Sequence, residues 1–106
     1  MTYLRKGAAH IAILSVLAEA PQYAYRIIPL LEARSEGFFE FRQGLIYPAL
    51  HKLEREGLIA GDWRQEEGRR RKYYRLTDEG RQRLAQEERE LRSYARALLR
   101  LLEGGA

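Results

Sequence analysis

Arg69, Arg70, Arg71 and Lys72 form an unbroken run of four cations, with Arg64 and Arg75 on either side. From Arg64 to Arg75 six cations stand against two anions, Glu66 and Glu67. That surplus of four equals the formal net charge of the whole 106-residue chain. From Asp78 to Glu103, in contrast, six anions balance six cations. A surplus concentrated in one stretch suits contact with a polyanion, because each phosphate that is neutralised releases condensed counterions. The balanced segment has the pattern of a solvated, ion-paired helix face.

A second group of candidates has hydrogen-bonding rather than purely electrostatic chemistry. Gln43 carries an amide able to pair bidentately with adenine N6 and N7. The Tyr47 hydroxyl can hold a phosphate, and His51 and Lys52 follow at helical spacing on the same polar side. Arg5 and Lys6, near the chain start, can hold a further phosphate. Catalytic chemistry has little to draw on. The chain has no cysteine and two histidines, His10 and His51, on separate segments with no carboxylate pair beside them. No nucleophile motif or phosphate-cradling glycine loop is present, so neither an enzyme, a metal site nor a cofactor is expected. Ser15 lies in an apolar stretch and reads as a packing residue, and His10 as a core histidine.

The elements that must position these residues follow from periodicity and turn chemistry. Leu4 to Ala18 is apolar on most sides of a helix, so it is expected to be buried on more than one face. Pro21 ends it. Tyr25 to Arg34 reads as a second helix with Ile27, Ile28, Leu30 and Leu31 inward. Pro29 removes a backbone donor there and predicts a slight kink or a late helix start. Gly37 is suited to close this helix with a left-handed residue. Phe38, Phe39 and Phe41 read as core aromatics. Leu45 to Arg55 reads as a third helix, with Ile46, Leu50 and Leu53 inward and Pro48 in its first turn. Gly57 ends it. Two strands follow, Leu58 to Gln65 and Lys72 to Leu76, joined through Glu67 and Gly68 into a hairpin with a basic tip. Tyr73 and Tyr74 read as strand packing, as does Trp63, unless Trp63 lines a ligand cavity. Thr77 is the expected N-cap of a last helix reaching about Leu102, with Asp78 and Glu79 against its dipole. Leu91, Ala95, Leu98 and Leu102 recur at spacings of four, three and four, a coiled-coil-like seam extended backward to Leu84.

Three helices, a basic hairpin and a long helix predict a mainly α (α+β) fold. In it residues 1–76 form a winged helix-turn-helix with a two-stranded wing, and residues 77–106 a dimerisation helix in the same compact unit. In such a domain the third helix enters the major groove while the hairpin follows the phosphate backbone. The expected partners are double-stranded DNA with an inverted repeat and a second copy of the chain. The longest apolar run, Ile11 to Ala18, is too short to cross a bilayer, and the N-terminal ten residues lack a signal-peptide pattern, so a cytoplasmic protein is expected. A winged helix that docks on an acidic protein, or a small-molecule sensor with secondary DNA contacts, is the alternative.

The stretch GFFEFRQGLIYPALHKLEREGLI, from Gly37 to Ile59, resembles the core motif of the PadR family of transcriptional regulators. RRKYYRLTDEG, from Arg70 to Gly80, resembles that family's second strand and the start of its last helix, and the N-terminal LRKGAAHIAILSVLAEAP fits as well. The chain departs from the family at Ala24-Tyr25, where Gly-Tyr is usual, and at Leu45, where a small hydroxyl residue often faces the groove. The resemblance implies a dimer joined by the last helix, and repression relieved by a small ligand or a redox signal. In some members that ligand is a flat aromatic compound near the dimer centre.

Overall fold

The computed structural model describes the backbone of residues 2–104 and the side chains of residues 8–104. The order of elements is α1 (Thr2–Glu19), β1 (Gln22–Tyr23), α2 (Ala24–Arg34), α3 (Gln43–Arg55), β2 (Ile59–Glu66), β3 (Arg69–Leu76) and α4 (Asp78–Leu102). α1 lies at the centre and packs against α2, α3, β3 and α4. Its nearly all-round apolar sequence is used accordingly: Ala9, Ile13, Leu14, Val16 and Leu17 are buried, and Ala8 and Ala12 pack against the same core. Ser15 is an exception to the expected packing role. It is exposed, on a row with the half-buried Ile11 and exposed Glu19 that the four-residue spacing turns outward.

α2 and α3 add Ile27, Leu31, Ile46, Ala49, Leu50 and Leu53 to the core. Both helices begin earlier than their prolines suggest. α2 starts at Ala24 and α3 at Gln43, so Pro29 and Pro48 are each the sixth helical residue. The late start expected for α2, and the first-turn position expected for Pro48, are therefore not found. Each proline deprives the carbonyl four residues back of its donor, but those residues, Tyr25 and Gly44, are exposed, where water can substitute. Between the two helices the chain turns through Glu36 (φ 54°) and Gly37 (φ 78°), with the Gly37 amide donating to the Glu32 carbonyl at 2.8 Å. The aromatic run divides after this turn. Phe41 is buried, Phe39 stacks on it with ring centroids 5.3 Å apart, and Phe38 meets Phe39 edge-on but is 82% exposed, contrary to its expected place in the core.

The sheet is three-stranded in the order β1-β3-β2. β2 and β3 pair antiparallel from Ile59↔Leu76 to Glu66↔Arg69, leaving only Glu67 (φ 47°) and Gly68 (φ 76°) in the turn. Positive φ at both central residues is the type I′ geometry that matches strand twist. The wing's second strand thus begins at Arg69 rather than Lys72. The basic run belongs to a strand, and is not a loop tip. The third strand, β1, is two residues long and escapes periodicity; it pairs Gln22↔Tyr74 and Tyr23↔Tyr73.

α4 starts as its sequence suggests. The Thr77 hydroxyl accepts from the Gly80 amide at 3.0 Å and sits 2.7 Å from the Gly57 carbonyl, to which it donates. One side chain therefore caps α4 and ties it to the end of α3. Thr77→Ala is expected to lower stability by about 1–2 kcal/mol, the usual cost of losing such a cap, as measured by urea unfolding. Leu84 packs on this chain's own core, so the back of the expected seam has an intrachain role. Further along, Leu91, Leu98 and Leu102 are exposed, together with Tyr94, Leu99 and Leu101. No described helix is long and apolar enough to cross a membrane.

Candidate nucleic-acid interface

The inward stripe of α3 leaves Gln43, Gly44, Pro48, His51, Lys52 and Arg55 exposed and Tyr47 half-buried. Gln43, Tyr47, His51 and Arg55 follow one another at four-residue spacing, so they form a single outward row with Lys52 beside it. Arg55 was not among the residues singled out in the sequence, although the same spacing reaches it. Arg42 was missed for another reason. It is the N-cap of α3, extended at φ −96° and ψ 157° with no side-chain cap bond, and an assumed start at Leu45 hides that role. Leu45 does not face outward; it is half-buried against the core.

Beside the start of α3 lies an open cleft of about 390 Å³, lined by Tyr25, Ile28, Pro29, Phe41, Arg42, Gln43 and Tyr47. It brings Gln43 and Tyr47 together with Arg42 and the exposed Tyr25 at the tip of the helix-turn-helix. The N-terminus of α3 carries the positive end of the helix dipole, with no acidic residue in its first turn to offset it. Arg5 and Lys6 fall within the span of α1, but their side chains lie outside the described residues.

Strand alternation sorts the wing's cations onto two faces. Arg64, Arg69, Arg71 and Arg75 share one face with Asp62, Glu66 and Tyr73; Arg70 and Lys72 share the other with Trp63 and Tyr74. The first face is largely self-paired. Arg71 lies 3.8 Å from Glu66 and 4.5 Å from the Tyr23 ring centroid, Arg75 hydrogen-bonds Asp62 at 3.0 Å, and Arg64 sits 4.2 Å over the Tyr73 ring. The Tyr73 hydroxyl donates to Glu66 at 2.7 Å, which raises its pKa above the ordinary tyrosine value. On the second face Arg70 lies 4.8 Å over the ring of Trp63, which is 59% exposed and lines neither this cleft nor a core site. Lys72 reaches Glu54 of α3 at 3.0 Å. Among the described residues Arg69 and Arg70 make no ion pair, and both are exposed near the tip. The four cations of the run are thus not equivalent: two are free of carboxylates, and two are held.

The family model of the PadR-like transcriptional regulators matches residues 13–86. The chain belongs to that family. The PadR-like match takes in all of α2, α3 and the sheet, and the first turns of α4. The chain is 35% identical over 81 residues to the transcriptional regulator Rv3488 of Mycobacterium tuberculosis; the match spans 76% of this chain and 63% of that protein, less than two thirds of its length. In structure it is similar to a PadR family transcriptional regulator from Eggerthella lenta, with 32% identity and a TM-score of 0.83 over 96% of this chain and 88% of that one. It is also similar to Bacillus subtilis PadR solved in complex with operator DNA, with 32% identity and a TM-score of 0.65 over 73% of this chain and 45% of that one. The winged-helix architecture with a long C-terminal helix is the one expected from the sequence.

Proposed function

We propose that this PadR-like chain is a sequence-specific regulator of transcription that binds double-stranded DNA as a homodimer, α3 reading the major groove and the wing holding phosphates. The observation that carries the reading is the outward row of α3, with Gln43, His51 and Arg55 exposed and Tyr47 half-buried, flanked by Arg42 and Lys52 and adjoined by a wing with free Arg69 and Arg70. It is supported by the similarity to a relative bound to operator DNA. Gln43 is the reader, Tyr47 and Arg42 hold a phosphate at the cleft, and Arg69 and Arg70 hold phosphates from the wing, joined by Arg71 once its weak pairing with Glu66 exchanges. Arg5 and Lys6 are assigned to the flanking backbone. Leu91, Ala95, Leu98 and Leu102 of α4 join two copies, so that the α3 helices address an inverted repeat. Repression, and release by a small aromatic effector, belong to this reading on the family resemblance alone.

The deciding experiment is a titration with random-sequence duplex at two salt concentrations, then with a duplex selected from a random pool. Affinity is expected to fall steeply with salt, by a logarithmic slope of about 0.9 per phosphate contact. A chain that binds neither duplex would instead be a protein-docking winged helix. Gln43→Ala is expected to weaken the selected duplex by about 1–3 kcal/mol and leave random duplex nearly unchanged. Its preference should relax at one base pair in each half-site, since the dimer presents the residue twice. Identical base preferences in the variant and the parent would remove Gln43 as a reader and leave DNA shape, or His51 and Lys52, as the source of specificity.

A further inference from the structure

We propose that Lys72, Glu54 and Gly61 form a latch that sets the angle between the wing and α3, so that Lys72 positions the DNA-contacting surfaces and does not itself touch DNA. Three observations converge on it. Lys72 Nζ donates to Glu54 Oε1 at 3.0 Å, joining β3 to α3 with both side chains about two-thirds buried. Among the described residues it is the sole ion pair between the wing and a helix: those of Arg71 and Arg75 stay within the wing. The lysine passes over the position of Gly61 on the neighbouring strand. A Cβ at Gly61 would collide with Lys72 Cε and stand 3.0 Å from Glu54 Oε2, so the missing side chain is the channel through which the lysine reaches α3. The ammonium also lies 5.2 Å over the ring of Tyr74, which is buried in the core.

The latch sits where the wing most needs it. β1 backs β3 only at Tyr73 and Tyr74. From Lys72 outward to the Glu67-Gly68 turn the wing is a two-stranded ribbon with no third strand, and such ribbons twist strongly and are marginal alone. Lys72 is the first residue beyond that support. Fixing it to α3 fixes where Arg69 and Arg70 stand relative to the outward row of Gln43, Tyr47 and His51. The hydrogen bond to Glu54 raises the lysine's pKa above its already basic ordinary value.

The inference rests on the DNA-binding reading, but one arm of its test does not. Trp63 is the chain's one tryptophan and stands directly opposite Lys72 on β2. Its fluorescence anisotropy in free protein reports wing mobility without any DNA. Glu54→Gln keeps the shape of the side chain and removes its charge. It is expected to lower the Trp63 anisotropy, and unchanged anisotropy would overturn the latch whether or not DNA binds. The second arm compares the parent, Glu54→Gln, Lys72→Met and the double variant on random duplex and on a duplex selected with the parent. Each single variant is expected to weaken the selected duplex by about tenfold, with little further loss in the double variant, as for two members of one interaction. The random-duplex salt slope stays the same. The sign for Glu54→Gln is the sharp discriminator, since deleting an anion beside DNA should otherwise tighten binding. Tighter binding by Glu54→Gln, together with a salt slope shallower by about one for Lys72→Met, would overturn the proposal and make Lys72 a phosphate contact.

Discussion

If α4 joins two copies as proposed, a Leu98→Glu chain is expected to be monomeric by light scattering at concentrations where the parent has twice its mass. α4 runs for 25 residues, with Gly80 buried and Leu84 packed on the core near its start. Beyond them Leu91, Tyr94, Leu98, Leu99 and Leu102 are all exposed, with Leu102 at 82%. A contiguous row of large apolar side chains of this kind marks an interaction surface, and its seven-residue period matches a second α4. Leu98 lies mid-seam, where a carboxylate would have to be desolvated against leucine. Monomerisation would also separate the two copies of α3. Affinity for an inverted repeat is then expected to fall by roughly 10²–10⁴, the advantage that linking two binding sites ordinarily confers. Single half-site binding should be nearly unchanged. A dimeric mass for the variant would move the subunit contact elsewhere on the chain.

The second large effect is expected at Gly80, in the first turn of α4. A Cβ there would run into the carbonyl oxygen of Leu58 and stand 2.7 Å from Leu76 Cδ1. The Leu58 carbonyl cannot swing aside, because it accepts from the Thr77 amide at 3.1 Å and lies 3.0 Å from the Thr77 hydroxyl. The helix itself would have to move. Gly80→Ala should cost roughly 2–3 kcal/mol, the range for overpacking a rigid site. The thermal midpoint should fall by roughly 8–20 °C. Because α4 carries the apolar seam, the same displacement should weaken the proposed dimer, so the loss on dilution should be steeper than for the parent. At Gly68 and Gly37 a side chain meets no atom nearby, so a change there acts through positive φ alone and is expected to be milder. A parent-like midpoint for Gly80→Ala would mean that α4 has room to shift away from Leu58 and Leu76.

What could be read without the fold depended on how far each cause extends along the chain. The Thr77 cap, the turn at Glu67-Gly68, the end of α3 at Gly57 and the inward stripe Ile46, Leu50, Leu53 are set by residues within one or two turns of each other, and the structure has each of them. The outward row from Gln43 to His51 is the complement of that stripe and was legible for the same reason. The order of elements, and with it the winged-helix architecture, follows from such local signals added together.

Pairings between distant segments were beyond the sequence, because nothing local encodes a register. β1 has two residues and no period, and exists only because β3 offers it an edge. Phe38 and Ser15 have apolar neighbours in sequence, yet face outward because the packing of α1, α2 and α3 leaves no core on their side. The basic run shows the difference most plainly. As a sequence, Arg69 to Lys72 is four equal cations. Once β3 extends through it, alternation deals them to opposite faces, and the register with β2 brings Glu66 to Arg71 while the position of α3 brings Glu54 to Lys72. Residue order determined that this chain concentrates positive charge between Arg64 and Arg75, since charge is a property of residues. Which of those charges remain free for a partner was decided by tertiary structure, since pairing is a property of distances.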